Sequence, residues 1–203
     1  MNPNYATAHQ WYAELLSFQG RFEKAFAESD RARQLDPLSL IIATDHATIL
    51  YFARQYDRAI EQFRAVLERD PTFPKASMVV GAYAQKGMFA EALAQIDDWR
   101  RVDDGPWNWA AQVYVYGRMG RQTEARRALE KLEEFARQRP SDPMPMLATA
   151  YIGLNEKGKA LATLENALRE RSNNMSLKVD PVYDPIREDP RFQDLLRRAG
   201  LAN

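Results

Sequence analysis

Pro3, Pro37 and Pro71 stand 34 residues apart, and each follows Asn or Asp. Proline cannot continue a helix interior, and it pushes the residue before it out of the helical region. Each pair therefore closes a segment. A fixed interval of this size marks a stacked array of helix–turn–helix units, in which each unit leans only on its neighbours.

The rest of the pattern follows the prolines. The first unit contains HQWYAELLSFQGRFEKAFAESDRARQLDP and the second ATDHATILYFARQYDRAIEQFRAVLERDP. Aligned, Phe22 lies over Tyr56, Ala25 over Ala59, and Asp36-Pro37 over Asp70-Pro71. A third unit, ASMVVGAYAQKGMFAEALAQIDDWRRVDD, puts Gly87, Phe89 and Ala92 in register, with a first helix one residue short. The fourth carries Trp109, Tyr116, Gly120 and Ala125, and the weaker fifth Leu147, Tyr151, Ala160 and Ala167. The chain resembles the tetratricopeptide repeat family over roughly residues 5–171. The resemblance implies an all-α, right-handed superhelix of five helix pairs. The expected repeats are residues 6–39, 40–72, 73–105, 106–140 and 141–175, an array over 1–175 followed by a C-terminal capping segment, 176–203.

Leu16, Leu50, Tyr83, Tyr116 and Tyr151 hold one equivalent position on the first helices. Ala25, Ala59, Ala92, Ala125 and Ala160 hold the facing position on the second helices, where small side chains let two helices approach. Gly20, Gly87 and Gly120 fall where a helix ends in the left-handed conformation, which costs Gly little. Asn155, the next most tolerant type, takes that place in the fifth unit. Arg54 takes it in the second, a departure that predicts local strain or a different turn.

Composition narrows the function classes. Twenty-eight basic and 28 acidic residues cancel, so no global field recruits nucleic acid or an anionic membrane. The absence of cysteine removes disulfides and thiolate metal sites. No apolar run approaches the ~18–20 residues that span a bilayer. The start, MNPNYATAH, has neither the basic nor the apolar region of a signal peptide. A cytoplasmic location is expected, and the periplasm is equally compatible with a cysteine-free chain.

Pro3 stands at the closing position of a unit whose helices are missing, which predicts an array cut from a longer one. At the other end, SNNMSLKVDPVYDPIREDPRFQDLLRRAGL contains Asp180-Pro181, Asp184-Pro185 and Asp189-Pro190. Asp before Pro is a good helix start, because the carboxylate caps free N–H groups and proline suits the first turn. The last pair is expected to open a short helix with Phe192, Leu195 and Leu196 on one face, ending at Gly200. This tail, with YFARQYDRAIEQFR and YAQKGMFAEALAQ, resembles the C-terminal repeat regions of large bacterial signalling proteins, where similar arrays follow a kinase, a winged-helix or a cyclase-like domain. The resemblance implies a sensory or protein-binding segment without catalysis of its own.

Chemistry-bearing constellations are few. His9 and His46 lie about one repeat apart, but a structural metal site needs about four ligands, and His46 occupies a packing position. Asp97-Asp98, Asp103-Asp104 and Glu133-Glu134 fall on charged helix faces or turns. Arg100-Arg101, Arg126-Arg127 and Arg197-Arg198 are scattered pairs with carboxylates nearby. No phosphate-cradling glycine loop or nucleophile-elbow motif occurs. No catalytic residue, metal or cofactor is expected.

The concave face, lined by the first helices, is the candidate binding surface. Its outward positions by register are Gln10, Glu14, Thr44, Thr48, Tyr51, Ala110, Tyr114 and Thr149, and Trp107 opens the fourth unit beside it. Relatives that grip the C-terminal carboxylate of chaperones use Lys, Arg and Asn there. Here Gln, Glu, Thr, Asp and Ala stand instead, so that clamp is absent. Tyr51 and Tyr114 have two readings, anchors for a peptide or packing between adjacent repeats. The expected function is a non-catalytic module binding a protein or peptide, without nucleic acid or membrane. The alternative is assembly, a possible homodimer joined through the ends or the convex side.

Overall fold

The structure is a computed structural model that describes residues 4–139, 144–170 and 175–202. Met1 and Pro3, on which the expectation of an array cut from a longer one rests, lie outside the described residues. Among the described residues, ten helices form five successive antiparallel pairs: α1 (Ala6–Phe18) with α2 (Phe22–Leu35), α3 (Leu40–Phe52) with α4 (Tyr56–Arg69), α5 (Val79–Gln85) with α6 (Phe89–Arg100), α7 (Pro106–Arg118) with α8 (Gln122–Gln138), and α9 (Met144–Gly153) with α10 (Lys157–Arg169). Each pair packs on the next, and α1 on α3, α5 on α7 and α7 on α9 line up side by side. The fold is an all-α solenoid. Among the described residues no helix is long and apolar enough to cross a membrane.

The turn within each pair repeats the same backbone device. Gly20, Arg54, Gly87, Gly120 and Asn155 all have φ between 58° and 76°. The N–H of the next residue then reaches back to the carbonyl of Leu16, Leu50, Tyr83, Tyr116 or Tyr151 at 2.8–2.9 Å, the bond that satisfies a free helix-end carbonyl. The register read from the sequence is thus the register of the turns. Ala25, Ala59, Ala92, Ala125 and Ala160 are completely buried, where a larger side chain would hold the paired helices apart. The short first helix of the third unit is also real: Pro74–Met78 is a 3-10 segment, and only Val79–Gln85 is α-helical.

After α10 the chain turns back on the array. Residues 181–186 form a 3-10 turn capped by Asp180, and α11 (Pro190–Arg198) is capped by Asp189, which accepts from the N–H of Arg191. Phe192, Leu195 and Leu196 of α11 are buried in one cluster with Leu161 and Leu164 of α10, and Arg198 pairs with Glu165 at 2.7 Å. Gly200, at φ 71°, ends the helix. The segment expected to close the array packs on α10. Asp184 is the exception among the three Asp-Pro pairs: Pro185 lies inside the 3-10 turn, so Asp184 caps nothing.

Candidate binding face

The first helices α1, α3, α5, α7 and α9 form one continuous face, and most side chains assigned to it from the sequence are not open to solvent. Thr44 and Ala110 are 0% and 2% exposed, and Gln10, Thr48, Tyr51 and Tyr114 are buried as well. Glu14 and Thr149 are half-buried, and Trp107 is exposed. The outward placement of the buried ones is corrected by two causes: close stacking of neighbouring first helices, and a segment lying over them.

Close stacking accounts for the amino-terminal part. Gln10 donates to Asp45 Oδ2 at 2.6 Å. The other oxygen of that buried carboxylate pairs with Lys75, whose ammonium also donates to Glu14 at 3.3 Å. Partial burial works to lower the pKa of Lys75, but Asp45 and Glu14 outweigh it and raise it, so the cation is held. One polar cluster thereby ties α1, α3 and the 3-10 segment together. Thr44 donates to the carbonyl of Leu40 and Thr48 to that of Thr44, and the Thr48 hydroxyl also lies 3.7 Å from Met78 Sδ on the 3-10 segment.

The overlying segment accounts for the middle. Tyr51 donates its hydroxyl to Asp180 Oδ1 at 3.1 Å. Arg54 donates to the carbonyl of Val179 at 2.6 Å and to Asp184 Oδ1 at 2.7 Å. Val179 lies just beyond Gly20, its Cγ1 3.9 Å from where a β-carbon would stand. Residues 181–186 reach α9. The segment is held in shape by Arg187, which donates to the carbonyls of Lys178 and Asp180 and to Asp184. Leu177, Val179, Val182, Tyr183 and Ile186 are buried in one cluster with Tyr51, Phe52, Tyr83 and Tyr114. Tyr51 spans to α5, its hydroxyl 3.1 Å from the place of a β-carbon on Gly81, and also holds the tail. Tyr114 accepts from Gln85 at 3.0 Å and Arg118 at 2.9 Å.

Burial raises the phenol pKa values of Tyr51 and Tyr114, so both stay protonated, and at Tyr51 the nearby Asp180 carboxylate adds to it. Burial also pushes Asp180 up to about 6, against the bonds from Val182 N–H and Tyr51 and the charge of Arg54. Arg54 was legible in the sequence as the one basic residue in a left-handed turn. What that signified, a guanidinium aimed at the tail, was not. Asp180 and Asp184 were visible only as helix starts.

The remaining constellations are occupied by the fold. His46 is 4% exposed, with Nδ1 3.0 Å from Ser29 Oγ and its ring edge-on to Phe26. His9 pairs instead with Glu28 at 2.6 Å. Among the described residues no group of three or more His, Asp or Glu is placed to hold a metal ion. Arg100, Arg101, Arg126, Arg197 and Arg198 are each paired with a carboxylate.

Burial, then the positive charge of Arg33, lowers the pKa of His46 from 6.5 to about 4. The unfolded chain therefore takes up this proton first as pH falls. His46 leaves stability untouched above pH 6.5 and costs stability progressively from there to about 4, roughly 2–3 kcal/mol over the window. Asp180, with its raised pKa, acts in the opposite direction, so the test is a difference between variants. His46→Leu is expected to lose less stability than the parent between pH 7 and 4.5, measured by urea midpoints. Equal losses in the two proteins would show that His46 is not held neutral.

Residues 44–106 match the family model described as tetratricopeptide repeat. No curated protein matches the chain in sequence. Among solved structures, the chain is similar to a thermophilic TPR protein of Thermus thermophilus, with 20% identity, a TM-score of 0.66 and coverage of 97% of this chain and 98% of that one. It is also similar to a tetratricopeptide repeat protein of Parabacteroides merdae, with 16% identity, a TM-score of 0.63 and coverage of 98% and 79%. At these identities the likeness is one of fold.

Proposed function

We propose that the chain is a tetratricopeptide repeat module that binds protein segments on the face of its first helices and performs no catalysis. One observation carries this reading. That face already holds a turn-rich, proline-containing segment with two spaced carboxylates, the chain's own residues 175–187, through Tyr51 to Asp180 and Arg54 to Val179 and Asp184. A groove that recognises backbone carbonyls and spaced carboxylates in cis has the chemistry to do so in trans. Gln10, Glu14, Thr44, Thr48, Ala110 and Thr149 support the groove from within its walls, while Tyr51, Tyr114 and exposed Trp107 are its contact positions. The repeats and the Asp-Pro tail favour a place in a larger bacterial regulatory protein, acting in the cytoplasm. The balanced charge and the paired arginines disfavour nucleic acid as the partner.

The test uses the full chain with its tail weakened and its groove intact. Asp180→Ala with Asp184→Ala should loosen the segment in cis. A labelled peptide of residues 175–189 should then bind this variant at least about tenfold more tightly than it binds the parent, whose tethered tail competes at high effective concentration. The same peptide without the two carboxylates should not bind. A folded double variant that ignores the wild-type peptide would end the proposal.

A further inference from the structure

Resting on the peptide-binding reading of the same face, we infer that its partner is a preformed turn on another protein, built as Asp-Pro-x-x-Asp-x-x-Arg. Arg54 is the residue that selects it. The chain's own Asp180, Pro181, Asp184 and Arg187 stand at those spacings.

The geometry at Arg54 requires a turn. One guanidinium donates to the carbonyl of Val179 at 2.6 Å and to Asp184 Oδ1 at 2.7 Å. In an extended chain the five residues between those acceptors would span about 17 Å, and both could not lie within reach of one side chain. The 3-10 turn over Pro181–Ile186 folds the carboxylate back beside the carbonyl. Tyr51 meets the same feature from the other side. It donates to Asp180 Oδ1 at 3.1 Å, the oxygen that also caps the turn by accepting from the Val182 N–H at 3.0 Å.

The backbone of Arg54 points the same way. Gly20, Gly87, Gly120 and Asn155 fill the left-handed position of the other units, whereas Arg54 carries a long side chain there at φ 59°. Gly would take that conformation without steric cost. Arg stands in the one unit whose turn meets the bound segment, and besides the carbonyl of Phe52 its guanidinium serves that segment. A backbone outlier held at a contact is the mark of a functional position.

The turn also supports itself. Asp180 caps it, Pro181 suits its first position, and Arg187 ties it together by donating to the carbonyls of Lys178 and Asp180 and to Asp184. A ligand ordered before it docks loses less entropy in docking. A second copy of the chain has no free turn to offer, because its own is seated by these bonds and anchored by α11 on α10. The partner is therefore a different polypeptide.

Fluorescence anisotropy with labelled peptides of residues 175–189 tests this on the full chain carrying Asp180→Ala and Asp184→Ala. The unaltered peptide should bind. The Arg187→Ala peptide should bind at least about tenfold more weakly, although the bonds of Arg187 lie within the segment. Simple attraction to the Arg54 cation predicts the opposite, since that peptide is the more acidic. Adding Arg54→Gly to the protein keeps a left-handed turn, and should weaken the unaltered peptide at least about tenfold by removing charge-assisted hydrogen bonds. Equal or tighter binding of the Arg187→Ala peptide would overturn the turn as the recognised feature and leave the groove reading standing. Unchanged binding to the Arg54→Gly protein would overturn the selecting role of Arg54. An unaltered peptide that does not bind at all would remove the groove reading and this inference together.

Discussion

Gly153→Ala is expected to destabilise the chain by about 2–4 kcal/mol, at a helical position where the same change ordinarily stabilises by roughly 0.5–1 kcal/mol. A β-carbon on Gly153 would stand 2.4 Å from Tyr114 Cα and 2.8 Å from the Tyr114 carbonyl oxygen. One on Gly117 would stand 2.5 Å from the Gly153 carbonyl oxygen. These obstacles are backbone atoms, which cannot swing aside as a side chain can. The only relief is to separate α7 from α9, and with them the fourth and fifth units. Gly117→Ala should behave alike. Gly158 provides the control: it lies within α10, and nothing stands within 4 Å of its added β-carbon. Gly158→Ala should be neutral or slightly stabilising. If all three variants show the same denaturation midpoint, the backbones of α7 and α9 are not in contact.

Removal of residues 176–203 should have the larger effect, loss of a soluble, cooperatively folding chain. Leu177, Val179, Val182, Tyr183, Ile186, Phe192, Leu195 and Leu196 are each at most 6% exposed. Burial of such side chains contributes about 1.5–3 kcal/mol apiece. Their sum is of the order of the whole stability of a domain, about 5–15 kcal/mol, before the entropy of ordering the tail is offset against it. Deletion also uncovers Leu161 and Leu164 on α10 and strips the tail from Tyr51 and Phe52. A drop in melting temperature of more than about 10 °C, or aggregation on expression, is the expected result. A truncated chain that melts with the parent would mean that the tail is an appendage rather than part of the core, and the groove reading would fall with it.

The local devices of this fold were legible because they are local. The left-handed turns at Gly20, Gly87, Gly120 and Asn155, the small residues on the second helices and the Asp-capped α11 each follow from a few neighbouring residues and the limits of backbone geometry. Even Arg54 stood out, since a side chain at φ 59° needs a compensating contact. The face was harder to read. Tyr51 and Tyr114 occupy outward positions by helical register, but register gives a direction and not what stands there.

The sequence by itself determined that the chain stacks helix pairs, where each pair turns, which side chains fill the space within a pair, and that the tail ends in an amphipathic helix. These are consequences of periodicity, because a repeat carries its own packing instructions. Tertiary structure alone decided that the tail crosses back over the first helices, that Arg54 meets Asp184 130 residues further on, and that Gly117 and Gly153 bring two backbones into contact. Each of these depends on how the rise and rotation between successive units add up along the stack, and on the path of a segment that does not repeat, and neither quantity is written in any one stretch of residues.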